Sequence, residues 1–125
     1  MTMTGQTHSA QRFHITLTGK GAHAARPHEG IDVIVIGSHI VSALYALPSR
    51  HRQWTLGITR LTAGNSWNVL PQTAEIEGIV RSQDQHTDTQ ITTLIAGIAA
   101  GFGAETHVNW QPLSASEPDA SAWAR

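Results

Sequence analysis

The apolar residues of this chain keep a period of two, then one near 3.6, then two twice over, then 3.6, then two again, and that order restricts the fold more than any other feature. From Arg12 to Thr18, Phe13, Ile15 and Leu17 alternate with His14, Thr16 and Thr18, which predicts a strand with one buried face. From about Asp32 to Leu47 the apolar residues Val33, Ile36, Ile40, Leu44 and Leu47 recur at three and four. That spacing predicts a helix, with Asp32 as its N-cap and Pro48 as its stop. A second strand is expected over 54–61, where Trp54, Leu56 and Ile58 alternate. A third is expected over 73–81, with Ala74, Ile76, Gly78 and Val80 on one face. The second helix is predicted over 88–102 on the stripe Ile91, Leu94, Ile95, Ile98 and Phe102. Thr87 and Gln90 have the spacing of a capping box, and Gly103 stands where a helix ends. A last strand over 105–111 buries Thr106, Val108 and Trp110.

The order βαββαβ predicts an α+β, ferredoxin-like fold: a four-stranded antiparallel sheet with two helices on one face. Residues 1–11 read as a flexible lead-in, 12–112 as the domain, and 113–125 as a linker-like tail rich in Ser, Ala and Pro. The sheet face away from the helices carries Thr, His, Glu and Arg. The first helix bears a second apolar line, Ile34, Val41 and Tyr45, broader than one sheet face needs.

Composition excludes several classes. The chain has 125 residues, enough for one domain, and 8 basic against 9 acidic residues give a net charge of −1. Lys20 is the only lysine, and the exposed strand positions hold no aromatic residue, so a nucleic-acid partner is disfavoured. There is no cysteine, which excludes disulfides and thiolate metal sites. No apolar run reaches the roughly 20 residues of a membrane span, and residues 1–12 lack the apolar centre of a signal peptide. A cytoplasmic, membrane-free location is therefore expected. Charged residues are only 14% of the chain, against about 25% in an average domain, which points to a surface covered by a partner.

Two segments are odd for mere connections. Gly19-Lys20-Gly21-Ala22-His23-Ala24-Ala25-Arg26-Pro27-His28 flanks His23 with small residues that leave its ring accessible. His23 and His28 would either cap loop carbonyls or begin a metal site, but a third and fourth ligand are not in sight. The spacing of a phosphate-binding Walker loop is missing. The second segment, Asn68-Val69-Leu70-Pro71, leads into the strand ending at Arg81. An amide and a guanidinium so placed would together hold a carboxylate, or Arg81 would pair with Glu75 or Glu77. Trp67, in the same loop, is a candidate contact for a ligand or a neighbouring domain.

Taken together, FHITLTGKGAHAARPHEGIDVI, NVLP and EGIVR resemble the lid, or dimerisation, domain of the aminoacylase/carboxypeptidase-type metallopeptidases. Within that superfamily the amidohydrolase branch, with its hippurate hydrolases, is the most similar. The resemblance covers about residues 12–113. It implies insertion in a larger catalytic domain that holds two metal ions, usually zinc, and a homodimer built through the first helix and an edge strand. It implies that His23 reaches the partner subunit's active site and hydrogen-bonds the carbonyl oxygen that becomes an oxyanion. It implies that Asn68 and Arg81 bind the substrate's carboxylate, and that His28 is structural.

The resemblance also places the family's metal ligands in the catalytic domain, so this chain is expected to bind no catalytic metal or other cofactor and to hydrolyse nothing alone. The parent would cleave N-acyl amino acids or related amides. Ser66 and Trp67 depart from the small residues expected just before the NVLP motif. The alternative is a free-standing ferredoxin-like module that binds a small carboxylated ligand or serves assembly.

Overall fold

Strand β1 (Ser9–Thr18) lies inside the sheet, and its Phe13, Ile15 and Leu17 are at most 2% exposed. Residues 9–50 and 54–113 are described here in a computed structural model. Around β1 the chain builds β2 (Ala22–His23), helix α1 (Val33–Arg50), β3 (Thr55–Ala63), β4 (Val69–Leu70), β5 (Thr73–Ser82), helix α2 (Thr87–Gly101) and β6 (Glu105–Leu113). Four strands form one antiparallel sheet in the order β3-β5-β1-β6, and β2 pairs with β4 in a separate two-stranded ribbon. This is the predicted α+β, ferredoxin-like arrangement.

The core lies between the sheet and the helices, where burial of apolar area drives folding. Ile15 stands opposite Ile76 of β5 and Val108 of β6. Val33, Ile36, Ile40 and Leu44 of α1 and Ile91, Ile95 and Ala99 of α2 complete it. Of the predicted helix stripes, Leu47, Leu94 and Ile98 are only partly buried against this core, and Phe102 is 44% exposed. Phe13 lies across from Gly78, and the absence of a side chain there is what lets its ring in. A Cβ at Gly78 would come within 2.6 Å of Phe13 Cζ.

The helix ends divide into expectations met and missed. Asp32 caps α1 as predicted, its Oδ1 accepting the N–H groups of Ile34 at 3.0 Å and Val35 at 3.3 Å. Pro48 does not stop that helix. It sits inside the last turn, where losing one hydrogen bond is not by itself enough to end a helix, and α1 runs on to Arg50. The capping box at Thr87 and Gln90 does not form. Thr87 is the first helical residue, 1% exposed, with its hydroxyl 2.8 Å from Ser82 Oγ and 2.9 Å from the Asp84 carbonyl. Asp84 organises the turn instead, accepting the His86 N–H at 2.8 Å and the Gln90 side-chain amide at 3.1 Å. Gly103 ends α2 as predicted, with φ of 82°.

The strands run longer than their alternation shows. β1 starts at Ser9, and β6 continues through Pro112, which an edge strand accommodates. A bulge between Ile58 and Arg60 shifts the register of β3 and leaves Leu61 47% exposed. The two short strands β2 and β4 fall in segments read from sequence as loops. Residues 1–8 of the lead-in, residues 51–53, and the tail from 114 lie outside the described residues. No helix among the described residues is long and apolar enough to cross a membrane.

Candidate functional site

The two segments singled out in the sequence leave the sheet at the same end, after β1 and before β5, and the ribbon β2–β4 binds them to each other. Ala22 pairs with Leu70 and His23 with Val69, and the Ala24 N–H donates to the Asn68 carbonyl at 2.9 Å. The base of the ribbon is tied down by the Gly19 N–H to the Gln72 carbonyl, 2.8 Å, and by a reciprocal pair of bonds between Lys20 and Ile31. Gly21 is needed for the approach, since a Cβ there would stand 2.9 Å from the Leu70 carbonyl oxygen. His23 and Asn68, 45 positions apart in sequence, are thus held by adjacent backbone strands.

Each of these side chains has its acceptor atom tied to its own loop. The Ala25 N–H donates to His23 Nδ1 at 3.0 Å. A backbone N–H can only donate, so Nδ1 is the acceptor, and the neutral ring carries its hydrogen on Nε2. Both sequence-based options for His23, a carbonyl cap or a metal ligand, give way to this one: an exposed ring with a fixed tautomer and an outward donor. The Ser66 hydroxyl likewise donates to Asn68 Oδ1 at 2.7 Å, while the Asn68 backbone N–H returns to Ser66 Oγ at 3.4 Å. With Oδ1 engaged by Ser66, the Nδ2 amino group is the donor that Asn68 offers a ligand. Two hydrogen-bond donors on one ribbon suit an acceptor, such as a carbonyl oxygen, an oxyanion or a carboxylate.

Arg81 is not brought to this place within one copy of the chain. It lies at the far end of β5, opposite Ala10 and Thr55, eight residues from Thr73. At about 3.4 Å per residue that is roughly 27 Å along the strand. The two acids that offered it a partner have close partners of their own: Glu77 receives Arg60 at 3.2 Å and Glu75 receives His14 at 2.7 Å. His28 sits exposed in the short turn Pro27–Glu29. Trp67 is 93% exposed. Ser66 is the site residue that sequence reasoning passed over. Its signal was the Ser-x-Asn spacing, since a serine can bond two residues along its own backbone.

Among the described residues no three His, Asp or Glu side chains gather as a metal site. The chain contains one His-x-Asp triplet, His86-Thr87-Asp88, but it opens α2, with Asp88 Oδ1 accepting the Thr89 N–H at 2.8 Å. A dinuclear metal centre does not fit the described residues.

A ferredoxin-like sheet with a two-stranded ribbon at one end defines the class of domain. Residues 7–107 match the peptidase dimerisation domain, and the chain belongs to that family. It is 39% identical over 112 residues to the N-acetylcysteine deacetylase of Bacillus subtilis, covering 83% of this chain and 30% of that protein. It is 37% identical over 101 residues to the N-acyl-L-amino acid amidohydrolase of Geobacillus stearothermophilus, covering 74% and 27%. A solved structure, the YxeP protein of Bacillus subtilis, described as a dinuclear metal binding peptidase of the M20 family, superposes with a TM-score of 0.64 at 34% identity. That superposition covers 84% of this chain and 26% of that one. The chain therefore spans about a third or less of the length of these relatives.

Proposed function

We propose that this domain serves a metal-dependent amidohydrolase that cleaves N-acyl amino acids, and that it acts on the active site of a partner subunit. The observation that carries this reading is the ribbon that joins the His23 and Asn68 segments, with His23 Nδ1 and Asn68 Oδ1 each already accepting a hydrogen bond. His23 Nε2–H meets the scissile carbonyl oxygen and strengthens its bond as negative charge develops there. Asn68 Nδ2 holds the carboxylate of the amino-acid half. The metal ions belong to the catalytic part of the enzyme and supply the activation of water.

The separation of Arg81 from the ribbon favours a homodimer. β3 is an edge strand, and α1 beside it exposes Ile34, Val35 and Tyr45 at 44–49%. A twofold axis that sets two β3 edges antiparallel places the Thr55 end of one copy against the Ala63 end of the other. Because Arg81 pairs with Thr55, the partner subunit's Arg81 then lies at the ribbon end of the first copy. One carboxylate site would thus draw its amide from one subunit and its guanidinium from the other.

The test is His23→Ala in the intact enzyme. Loss of one positioned oxyanion donor lowers kcat about 100- to 1,000-fold. A fall smaller than about threefold refutes the role. Light scattering of the same enzyme reports the homodimer, and Ile34→Glu with Tyr45→Glu should convert it to monomer.

A further inference from the structure

The geometry points to Ser66 as a positioning residue for Asn68, one that fixes which end of the amide a ligand meets. A primary amide offers a carbonyl on one side and an amino group on the other, and a half-turn about χ2 exchanges them at little cost. For a site that must hold a carboxylate, one of those orientations binds and the other repels. Ser66 breaks the symmetry. Its single hydroxyl hydrogen goes to Asn68 Oδ1 at 2.7 Å, and its oxygen takes the Asn68 backbone N–H at 3.4 Å. Turning the amide over would aim Oδ1 at the ligand and put Nδ2 against Ser66, whose oxygen would then accept twice while its hydrogen lost Oδ1 as a partner. Asn68 in this orientation turns its donor side to the ligand, which favours a carboxylate over a primary carboxamide.

This inference rests on the reading that Asn68 meets the substrate's carboxylate. It is tested in the intact enzyme by steady-state kinetics with an N-acyl amino acid and its C-terminal carboxamide. Ser66→Ala removes one neutral hydrogen bond, so KM for the acid should rise about 3- to 10-fold with kcat within twofold. The preference for acid over carboxamide should shrink by the same factor, and Ser66→Thr, which keeps the hydroxyl, should restore both. Asn68→Ala is the reference, expected to raise KM for the acid at least as much. If Asn68→Ala raises KM and Ser66→Ala does not, Ser66 has no positioning role while the carboxylate reading stands. If Asn68→Ala leaves KM unchanged, the carboxylate reading fails and takes this inference with it. If Ser66→Ala lowers kcat and the melting temperature together and Ser66→Thr rescues neither, the role is merely structural and the inference is overturned.

Discussion

Replacing Gly78 with alanine sets two effects of opposite sign against each other, and the structure decides between them. In the unfolded chain, alanine has less freedom to lose than glycine, which favours the variant by about 0.4–1 kcal/mol wherever the folded backbone accepts it. Gly78 has no positive φ, so the backbone does accept it. The space does not. The added Cβ would lie 2.6 Å from the Gly57 carbonyl oxygen and 2.6 Å from Phe13 Cζ, with Phe13 Cε1 at 3.0 Å. The Phe13 ring has little room to yield, because it is 2% exposed and packs on Trp110 with centroids 5.4 Å apart. The oxygen belongs to the backbone of β3.

Forcing one extra carbon into such a core costs about 1–3 kcal/mol, so the net change should be a loss of about 1–2 kcal/mol. For a domain of this size that is a fall in melting temperature of about 5–10 °C. Urea melts should show a lower midpoint with an unchanged slope, since the surface exposed on unfolding is the same. Gly97→Ala is the matched control: it lies in α2, and its Cβ would meet nothing within 4 Å. There only the favourable terms remain, worth about 0.5–1 kcal/mol in a helix. A Gly78→Ala variant as stable as the wild type, beside a stabilised Gly97→Ala, would refute the packing argument for Phe13.

Other outcomes follow from single contacts. Asp32→Ala should destabilise the domain by about 1 kcal/mol in urea melts, because two N–H groups at the start of α1 lose their acceptor. Thr87→Val keeps the shape of a 1% exposed side chain but removes its hydroxyl, and should cost about 1–2 kcal/mol by the same assay. Trp67→Ala should change stability by less than about 0.5 kcal/mol, since the ring is 93% exposed; a larger loss would mean that the indole packs in solution. Gly21→Ala should leave the melting temperature nearly unchanged yet loosen the ribbon, seen as faster hydrogen exchange at the Ala24 amide, which donates to Asn68.

The sheet and both helices were legible because their signal is repetition. Phe13, Ile15 and Leu17 state one face three times over, and Ile36, Ile40 and Leu44 do the same at helical spacing. The ribbon β2–β4 was not legible, because two-residue strands have no period to read and its hydrogen bonds are made by backbone that any residue supplies. The ends of α2 show the same divide. Gly103 announces itself through a φ that few other residues adopt, whereas Thr87 and Gln90 fit a capping pattern that Asp84 pre-empts. At the site, the segments of His23 and Asn68 were each singled out, but the ribbon that joins them was not foreseen, since the amide of Asn68 was matched with Arg81. The distance of Arg81 from them follows from strand length, which local residue pattern does not display.

The tyrosine of α1 has a consequence for how copies of this domain avoid sticking together. A sheet with two bare edges invites end-to-end growth, one molecule after another, into filaments. At one edge, the Tyr45 hydroxyl has already accepted the Ile58 N–H at 2.8 Å, and a bulge beside it shifts the register of β3. At the other edge, Pro112 has no N–H to offer near the end of β6. Neither border presents an unbroken row of docking points. Open-ended stacking of sheet on sheet is disfavoured in this way at both borders.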